Sequence, residues 1–535
     1  MKLTQEEKEI LNAVIDGFIP SIQKENDVNG FWKRKGSDLP IADHIIEIIS
    51  ALPIESQKEF KELISLLGSK KLYLTWFGAF KNVKNLSTEQ KQKMLNKWAD
   101  SSVPPLRKAY LSLKKLIGLC YLGTLDENQY NPNWSNVDYD GPDLTVTSFD
   151  EKEVSSWNIK QNQMISCDVV VVGSGAGGGV VADELVKKGK DVIILEKGPN
   201  ITGKEMTGYE LEMLGKSYDR KGAFTSVDGC ISVLAGSCVG GGTTVNWSGM
   251  FRTPDYILEE WAKEHDNPHF LEKDYKKCFE HIEKRTSTNT HLSERHNPQN
   301  QKLWNGSQKL GYDTKLIARN VAAEKGQSKN NEYWKSQGFA GLCDKFGYKQ
   351  STMKTFLQDA VDGGARIMAN TRVESINHSQ GKVDGVVAYQ SDANGHRYKI
   401  TISCKQVVVS AGAIHTPTIL MKSGLKHPQI GKNLYLHPTN AVSAEYAETM
   451  NSWHGPMMSA VCDEFTRLDG NFGYKIETPP LHPAFLSMST PWTSGEQFKE
   501  DLLHLKNVGA FIVLTRDKFG GSISLSKEGR PLVNY

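Results

Sequence analysis

A glycine-rich segment near the middle of the chain has the spacing of a dinucleotide-binding turn. Gly173, Gly175 and Gly178 form G-x-G-x-x-G. In such a turn the first glycine permits a sharp bend, the second lets backbone N–H groups approach a pyrophosphate, and the third lets a helix pack on a strand. The candidates in this turn are Gly173, Ser174, Gly175, Ala176, Gly177 and Gly178. Glu196 follows at the distance where an acidic residue accepts hydrogen bonds from a ribose. NAD and FAD both contain ADP, so this spacing does not separate them.

A second glycine run, in residues 234–247, suits contact with a flat ligand. It reads LAGSCVGGGTTVNW and carries no charge, whereas solvated loops are usually charged. Its consecutive glycines leave one stretch of backbone without side chains, so a ligand can lie directly against it. The candidates here are Gly236, Gly240, Gly241 and Asn246.

A third group of candidates lies further along, at Val373 and at Ala411-Gly412. Residues 364–373 read GARIMANTRV, and a strand there could offer backbone groups to an adenine. Residues 406–410 read QVVVS and predict a buried strand, so Ala411 and Gly412 would form a turn that closes over the same ligand. Plain sheet core explains this third pattern equally well.

The elements around these residues predict a βαβ unit. Residues 167–172 read CDVVVV and residues 191–196 read DVIILE, which are short apolar strands on either side of a helix. A right-handed crossover is expected between them. Strands at 383–389 and 398–403 flank Asn394-Gly395, a hairpin signal. A helix is predicted from Thr416, with Pro417 in its first turn.

Residues 1–125 have the pattern of helices, and residues 126–162 have the composition of a linker. Thr4 with Glu7 and Ser87 with Gln90 form capping boxes ahead of apolar periodic stretches. A third helix is predicted from about Pro105. Two roles remain open for this region: packing against the main body, or forming a cap or membrane-facing surface.

Composition excludes several classes of protein. Lys plus Arg number 64 and Asp plus Glu 62, a net charge of +2 that gives no support for nucleic-acid binding. The 8 cysteines form no C-x-x-C pair, and they predict reduced thiols and no metal site. The charged N-terminus predicts no secretory signal, and no stretch has the composition of a transmembrane helix.

Several further motifs resemble the glucose–methanol–choline (GMC) flavin oxidoreductases, in particular their long-chain fatty alcohol oxidases. They are VVVGSGAGGGVVA, LAGSCVGGGTTVNW, AGAIHTPTILMKSGL, IGKNLYLHP, WHGP, IETPPLHPAF and PWTSGE, together with the N-terminal LTQEEKEILNAVIDGFIPSI. The resemblance covers almost the whole chain. It implies an α/β fold with a doubly wound FAD-binding domain, a mixed-sheet substrate domain and a helical N-terminal extension.

The resemblance also implies how these parts divide the chain. The expected divisions are 1–125 (helical extension), 126–162 (linker), 163–260 (FAD-binding domain, first part), 261–363 (helical and loop insertion), 364–438 (FAD-binding domain, second part) and 439–535 (substrate domain, incomplete).

Roles for the candidates follow from the same resemblance. Glu196 would hold the adenosine ribose and Val373 the adenine, while the second glycine run and Ala411-Gly412 would contact the pyrophosphate and flavin. Because residues 229–251 contain Cys238 but no histidine, FAD is expected to bind non-covalently. The family's catalytic His and Asn are expected beyond Tyr535, so residues 1–535 alone are expected to be inactive and to fold poorly. The substitutes available for the base, none of them favoured, are His437, His454 and His482.

The implied activity is oxidation of long-chain primary alcohols to aldehydes, with dioxygen as acceptor and hydrogen peroxide as product. Apolar residues in 450–519 would suit an alkyl chain or, equally, a core. The alternatives are a sterol or aromatic alcohol oxidase, a dehydrogenase with another acceptor, or an inactive flavin-binding protein. The expected location is intracellular, with peripheral contact to the membrane of the endoplasmic reticulum or peroxisome. The motive for this contact is Lys108, Lys114 and Lys115 beside apolar residues of the helix predicted at 105–122.

Overall fold

The computed structural model describes residues 1–70, 81–142 and 154–535. The N-terminal part is helical, as predicted. Both capping boxes are present, since Thr4 and Glu7 begin the first helix and Ser87 and Gln90 begin the fourth. The helices are α1 (Gln5–Phe18), α2 (Ile41–Ser50), α3 (Ile54–Gly68), α4 (Thr88–Ala99) and α5 (Pro104–Gly123).

The predicted βαβ unit lies in a parallel sheet with strand order β11-β2-β3-β7. Its strands are β2 (Val169–Val172), β3 (Val192–Leu195), β7 (Arg366–Met368) and β11 (Gln406–Val409). Helix α6 (Ala176–Lys187) connects β2 to β3. The chain leaves β2 toward β3 on one side, while β11 pairs with β2 on the other. The carboxyl ends of β2 and β11 therefore flank a topological switch point, where open α/β sheets bind ligands.

Alternate residues of β2 cover the two faces of this sheet. Val169 and Val171 pack in one cluster with Ala182 of α6. Val170 and Val172 pack in another cluster against a second sheet. All four strand residues are buried, which explains why the run is valine throughout rather than alternating with polar residues.

The helix predicted from Thr416 begins earlier, as α14 (Gly412–Lys422). Gly412 has φ 77°, a left-handed conformation that turns the chain from β11 directly into the helix. Pro417 consequently lies inside the helix rather than in its first turn. The prediction of the start was wrong because it gave the proline more weight than the glycine.

The second sheet has the order β1-β10-β9-β8 and combines one parallel with two antiparallel pairings. Its strands are β1 (Gln163–Ser166), β8 (Thr371–Ser379), β9 (Lys382–Ser391) and β10 (Arg397–Ser403). The hairpin predicted at Asn394-Gly395 joins β9 to β10. Val373 lies in β8 opposite Ala388.

The third sheet has the order β12-β15-β14-β13-β5, and its pairings are all antiparallel. Its strands are β5 (Thr314–Leu316), β12 (Thr439–Glu445), β13 (Ala460–Cys462), β14 (Tyr474–Glu477) and β15 (Val508–Thr515). Residues 261–363 thus contribute a strand to this sheet. Short pairs are formed by β4 (Gly249–Met250) with β6 (Ala318–Arg319) and by β16 (Ser522–Leu525) with β17 (Pro531–Asn534). The predicted α/β class is confirmed.

The remaining helices surround these sheets. They are α7 (Glu210–Ser217), α8 (Gly242–Val245), α9 (Asp255–Glu264), α10 (Lys273–Arg285), α11 (Pro298–Lys309), α12 (Asn331–Ser336), α13 (Phe356–Asp362), α15 (Pro483–Ser489) and α16 (Gly495–Leu503). The 8 cysteines, all among the described residues, are free thiols, as predicted.

The N-terminal helices and the segment around α15 and α16 share one hydrophobic core. The Trp492 Nε1 donates to the Phe18 carbonyl at 2.9 Å, and the Tyr110 hydroxyl donates to the Trp492 carbonyl at 2.9 Å. Residues 126–142 of the predicted linker join the same core, with Asn131 and Asn133 fully buried beside Trp134, whereas Val154 and Ile159 pack with the sheets.

Helix α5 turns its apolar side into this core rather than toward a free surface. Tyr110, Leu113 and Ile117 are buried there. The Lys114 Nζ donates to the Met488 carbonyl at 3.0 Å, and burial lowers the pKa of Lys114 to about 8. The face expected to contact lipid is therefore covered by protein. None of the helices in the described part of the chain has the length and apolar character needed to cross a membrane.

Lys499 links the two ends of the chain and generates a stability prediction. Its side chain is fully buried, and its Nζ donates to the carbonyls of Phe31 at 3.1 Å, Trp32 at 2.7 Å and Arg34 at 2.8 Å. Lys499→Met leaves those acceptors without their charged donor. We expect the free energy of unfolding to fall by about 3 kcal/mol in chemical denaturation. Lys93→Met, at an exposed position of α4, is the matched control and should change little. Equal stability of the two variants would contradict this role.

Candidate functional site

A cavity of about 1350 Å³ lies between the parallel sheet and the antiparallel sheet. One wall is formed by the carboxyl ends of β2, β3 and β11 with the second glycine run, and the other by residues of β14 and β15. Predicted site residues on the first wall are Gly173, Gly175, Glu196, Gly236, Gly241, Asn246, Val373, Ala411 and Gly412. The three groups of candidates, far apart in sequence, are therefore brought to one cavity.

The other candidates lie next to this wall. Ala176 and Gly177 are exposed in the first turn of α6, whereas Ser174, Gly178 and Gly240 are buried. A Cβ at Gly178 would overlap the Gly173 carbonyl oxygen. That glycine is thus explained by close packing of α6 on the turn after β2, as its position in the motif predicts.

Gly175 has no such explanation within the protein. A Cβ built there would have no described atom within 4 Å, and the residue faces the cavity. The same is true of Gly242, whereas Gly412, which also has open space around it, is already required by its left-handed backbone. These glycines therefore line open space, as expected where a ligand lies against the backbone.

The first turn of α6 offers hydrogen-bond donors at the same place. Gly175 is the N-cap residue, and no described side chain caps the turn. Helix N-termini carry unsatisfied N–H groups and a partial positive charge, which suit a phosphate. The residues present thus fit the pyrophosphate of a dinucleotide.

Ser174 and Glu196 connect the two glycine segments. The Ser174 N–H and hydroxyl donate to one Glu196 oxygen at 3.1 and 2.7 Å, and the Gly198 N–H donates to the other at 2.9 Å. The Gly240 N–H donates to the Ser174 Oγ at 3.0 Å. A carboxylate has about four acceptor positions, and three are used by these bonds, so Glu196 retains one for a ribose hydroxyl. Ser174, a predicted ligand contact, is in the structure a buried bridge between the two segments.

Three titratable groups were not predicted: Lys197 and His415, which line the cavity, and Asp219 beside them. The Lys197 Nζ lies 2.9 Å from the Asp219 Oδ2 and 2.8 Å from the His415 Nε2, which is itself 2.6 Å from the Asp219 Oδ2. Burial lowers the pKa of Lys197 and of His415. Burial would raise the pKa of Asp219, but the hydrogen bond from His415 and the charge of Lys197 lower it well below its usual range. In the sequence, the one indication that these residues lie near the site is that Lys197 follows Glu196 and His415 follows Gly412 closely.

The opposite wall is largely apolar. Its residues include Met458, Tyr474, Ile512 and Leu514. The sequence left the apolar residues of 450–519 open between an alkyl site and a core. Met458 lines the cavity, whereas Trp453 and Trp492 are buried in the hydrophobic core.

Glu477, on the last position of β14, is the buried carboxyl group of this wall, which also includes the polar residues Lys475, Thr515 and Arg516. Its side chain lines the cavity and is 2% exposed, and its Oε2 has no hydrogen-bond partner among the described residues. Burial raises the pKa of Glu477 to about 7, opposed by the charge of Lys475 and aided by that of Asp463. A buried polar atom without a partner is rare in proteins and points to a bound group that supplies one. Nothing in the local sequence distinguishes this glutamate.

The three histidines considered as substitutes for a base lie in different places. His437 is exposed and lines the cavity. His482 is buried, with its Nε2 2.8 Å from the Gly338 carbonyl, and burial lowers its pKa to about 4. Burial also lowers the pKa of His454 to about 4. The latter two are neutral imidazoles outside the cavity wall.

Gly175→Val tests the cofactor cradle. The valine side chain would enter the space assigned to the pyrophosphate, and since no described protein atom is nearby the protein should still fold. We expect the variant to purify without flavin, measured by absorbance near 450 nm per protein. Gly178→Val is the contrasting control, because its side chain would overlap the Gly173 carbonyl and should reduce stability as well. Normal flavin content in Gly175→Val would show that the assignment is wrong.

Comparisons with known proteins agree with this geometry. Residues 216–439 match the model of the GMC oxidoreductases, and residues 171–218 match that of an NAD(P)-binding Rossmann-like domain. Long-chain-alcohol oxidase FAO3 of Arabidopsis thaliana is 30% identical over 605 positions, covering 100% of this chain and 79% of that protein. Long-chain-alcohol oxidase FAO4B of the same plant is 29% identical, covering 97% and 76%.

The solved structures show the same fold. Pyridoxine 4-oxidase from Mesorbium loti has a TM-score of 0.50 at 15% identity, covering 69% of this chain and 75% of that one. The Rossmann-like domain and the family together point to FAD as the cofactor. The chain belongs to the GMC oxidoreductase family, alongside the long-chain-alcohol oxidases.

Proposed function

We propose that this protein oxidises long-chain primary alcohols to aldehydes with non-covalently bound FAD, and that dioxygen accepts the electrons to give hydrogen peroxide. Family membership supports flavin-dependent alcohol oxidation, and the names of the plant relatives favour long-chain substrates. The observation that carries the proposal is one cavity with two unlike walls: a glycine cradle with phosphate-binding character, and a largely apolar wall whose few polar residues include the buried carboxyl group of Glu477.

The cradle wall is the proposed place of the cofactor, supplied by residues 163–260 and 364–438. The N–H groups at the start of α6 and the backbone at Gly241 would hold the pyrophosphate, and Glu196 the adenosine ribose. When bound, FAD supplies the acceptor for the hydride that leaves the alcohol carbon. Cys238 is fully buried, and burial raises its thiol pKa well above the usual range, which disfavours a covalent link through this residue.

The apolar wall is the proposed place of the alkyl chain. Burying one methylene group contributes about 0.8 kcal/mol, so a long chain gains affinity from each carbon that Met458, Ile512 and Leu514 remove from water. The alcohol hydroxyl needs a polar partner in such surroundings. Glu477 supplies it, because its ionised carboxylate can accept the hydrogen bond from the hydroxyl and fix the orientation of the adjacent carbon.

Anaerobic bleaching of the bound flavin tests the activity. A C12–C18 alcohol should reduce the flavin, and admitting air should restore its absorbance with one hydrogen peroxide per aldehyde. Sterol and aromatic alcohols serve as competing substrates. The assay is run on the purified protein at known flavin content. Flavin that no alcohol reduces would overturn the proposal in favour of an inactive flavin-binding protein.

An intracellular, reducing setting is part of the proposal, and the eight free thiols support it. Peripheral contact with the endoplasmic reticulum or peroxisome membrane remains a prediction, without support from α5. Recovery of all the protein in the soluble fraction at low salt would contradict it.

Glu477→Gln tests the role of the carboxyl group. With a pKa of about 7, Glu477 is protonated in acid and becomes an acceptor as pH rises. We expect kcat/KM for the alcohol to rise with pH through about 7 in the parent, and to be about tenfold lower and lack this limb in the variant. The rate is measured at matched flavin content in the variant and the parent.

A stability readout separates this role from a structural one. A carboxyl group whose pKa is raised on folding contributes less to the stability of the folded protein as pH rises from its unfolded pKa toward 7. At pH 7, Glu477→Gln should therefore melt at the same temperature as the parent or higher. Glu464→Gln, an exposed residue of the same region, is the control. An unchanged pH profile in Glu477→Gln would exclude contact with the hydroxyl.

A further inference from the structure

A second cavity, of about 250 Å³, adjoins the cofactor cavity and is lined mainly by cationic side chains. The two cavities share Lys197, Tyr218, Arg372, His415 and Pro531 as wall residues. The lysines and arginines of the second cavity are Lys197, Lys216, Arg220, Lys221, Arg372 and Arg530. Among the described residues that line it, Asp219 is the one carboxylate.

The lysines already have counter-charges. Asp219 pairs with Lys197 and His415, as described above. Lys216 pairs with Glu212 at 2.6 Å, and Lys221 pairs with Glu47. The arginines therefore hold the positive charge that the wall leaves unbalanced.

Of these three arginines, Arg530 is the one with a carboxylate within ion-pair distance among the described residues. The Arg220 NH2 donates to the Pro531 carbonyl at 2.6 Å, and its guanidinium lies 3.8 Å from the centre of the Phe224 ring. The Arg530 NH1 donates to the Ala51 carbonyl at 3.3 Å, and its Nε is 3.6 Å from a Glu528 oxygen. The Arg372 guanidinium has neither a hydrogen bond nor an ion pair with any residue that the structure describes, although its backbone pairs with β9.

The arginines also repel one another. Burial lowers the pKa of Arg220 to about 10; the charge of Asp219 opposes this shift, and the charges of Arg530 and Arg372 add to it. Burial likewise lowers the pKa of Arg372; the charges of Asp219 and Glu374 oppose the shift, and the charge of Arg530 adds to it. An anion between these groups would remove the repulsion and accept the hydrogen bonds that the free guanidinium can donate.

We propose that this second cavity binds a phosphoryl group that is separate from the pyrophosphate of FAD. A guanidinium group can donate two parallel hydrogen bonds to a pair of phosphate oxygens. Three guanidinium groups suit a phosphate dianion better than they suit the single charge of a carboxylate. The cavity, at about 250 Å³, has room for a phosphoryl group together with part of a molecule that carries it. In its wall, Lys197 directly follows Glu196, and Arg372 directly precedes Val373. Glu196 and Val373 are the residues proposed for the adenosine of FAD, so the site lies beside that end of the cofactor. The phosphoryl group can come from inorganic phosphate or from a phosphomonoester such as a nucleotide.

Calorimetric titration of the FAD-loaded full chain tests the site, with a readout independent of alcohol oxidation. Inorganic phosphate is added at constant ionic strength set with chloride, and AMP is used in a parallel titration. We expect one saturable phosphate site, weakened by about tenfold in Arg372→Gln because one charge-assisted contact is lost. Arg530→Gln should weaken binding in the same direction, and it serves as the second variant if Arg372→Gln does not fold. Arg252→Gln removes an exposed arginine outside both cavities and should leave the affinity unchanged.

Each outcome decides the proposal. Tighter binding of AMP than of phosphate would identify a nucleotide as the source, and equal or weaker binding of AMP would identify free phosphate. No saturable binding up to about 10 mM phosphate, or equal affinity in Arg372→Gln and the parent, would overturn it. Release of FAD as phosphate binds would also overturn it, since the arginines would then hold the phosphates of the cofactor itself.

Discussion

The cofactor cavity depends on the close approach of three backbone segments, which is possible only where side chains are missing. A Cβ at Gly173 would overlap the Ser410 carbonyl of the neighbouring strand end, and a Cβ at Gly241 would lie 3.0 Å from the Gly175 Cα. Ser174 then joins the segments by accepting from Gly240 while donating to Glu196. A side chain at Gly173 or Gly241 would separate the loops, and the cavity wall would no longer be continuous. The glycines of this wall are therefore required for packing of the fold as well as for contact with a ligand.

Sequence reasoning succeeded where the information is local. The apolar runs at β2 and β3, the glycine spacing between them and the capping boxes each lie within a few residues, and each determines its element with little help from the rest of the chain. The start of α14 was predicted wrongly because it is not determined locally. The left-handed conformation of Gly412 depends on how β11 enters the sheet.

The rest of the site could not be predicted, since it consists of contacts between distant parts of the chain. His415 and Lys197 are 218 positions apart, and no periodicity connects them. Glu477 becomes unusual only when β14 and β15 pair and bury it. Arg220, Arg372 and Arg530 are three ordinary surface residues in the sequence and become a cluster only in the folded chain. Ser174 was predicted to be at the site, but its position in the motif gave no sign that it bridges two loops.

The shared core of the N-terminal helices and α16 has a consequence for synthesis on the ribosome. Leu11 and Val14 of α1 pack in the same cluster as Phe498 and Leu502 of α16, and Lys499 satisfies carbonyls near residue 32. At roughly 5–20 residues per second, the first helices wait from about half a minute to well over a minute before their partners are made. During that interval their apolar faces are uncovered, so the nascent chain should be a client of chaperones that shield such surfaces until the last part of the core emerges.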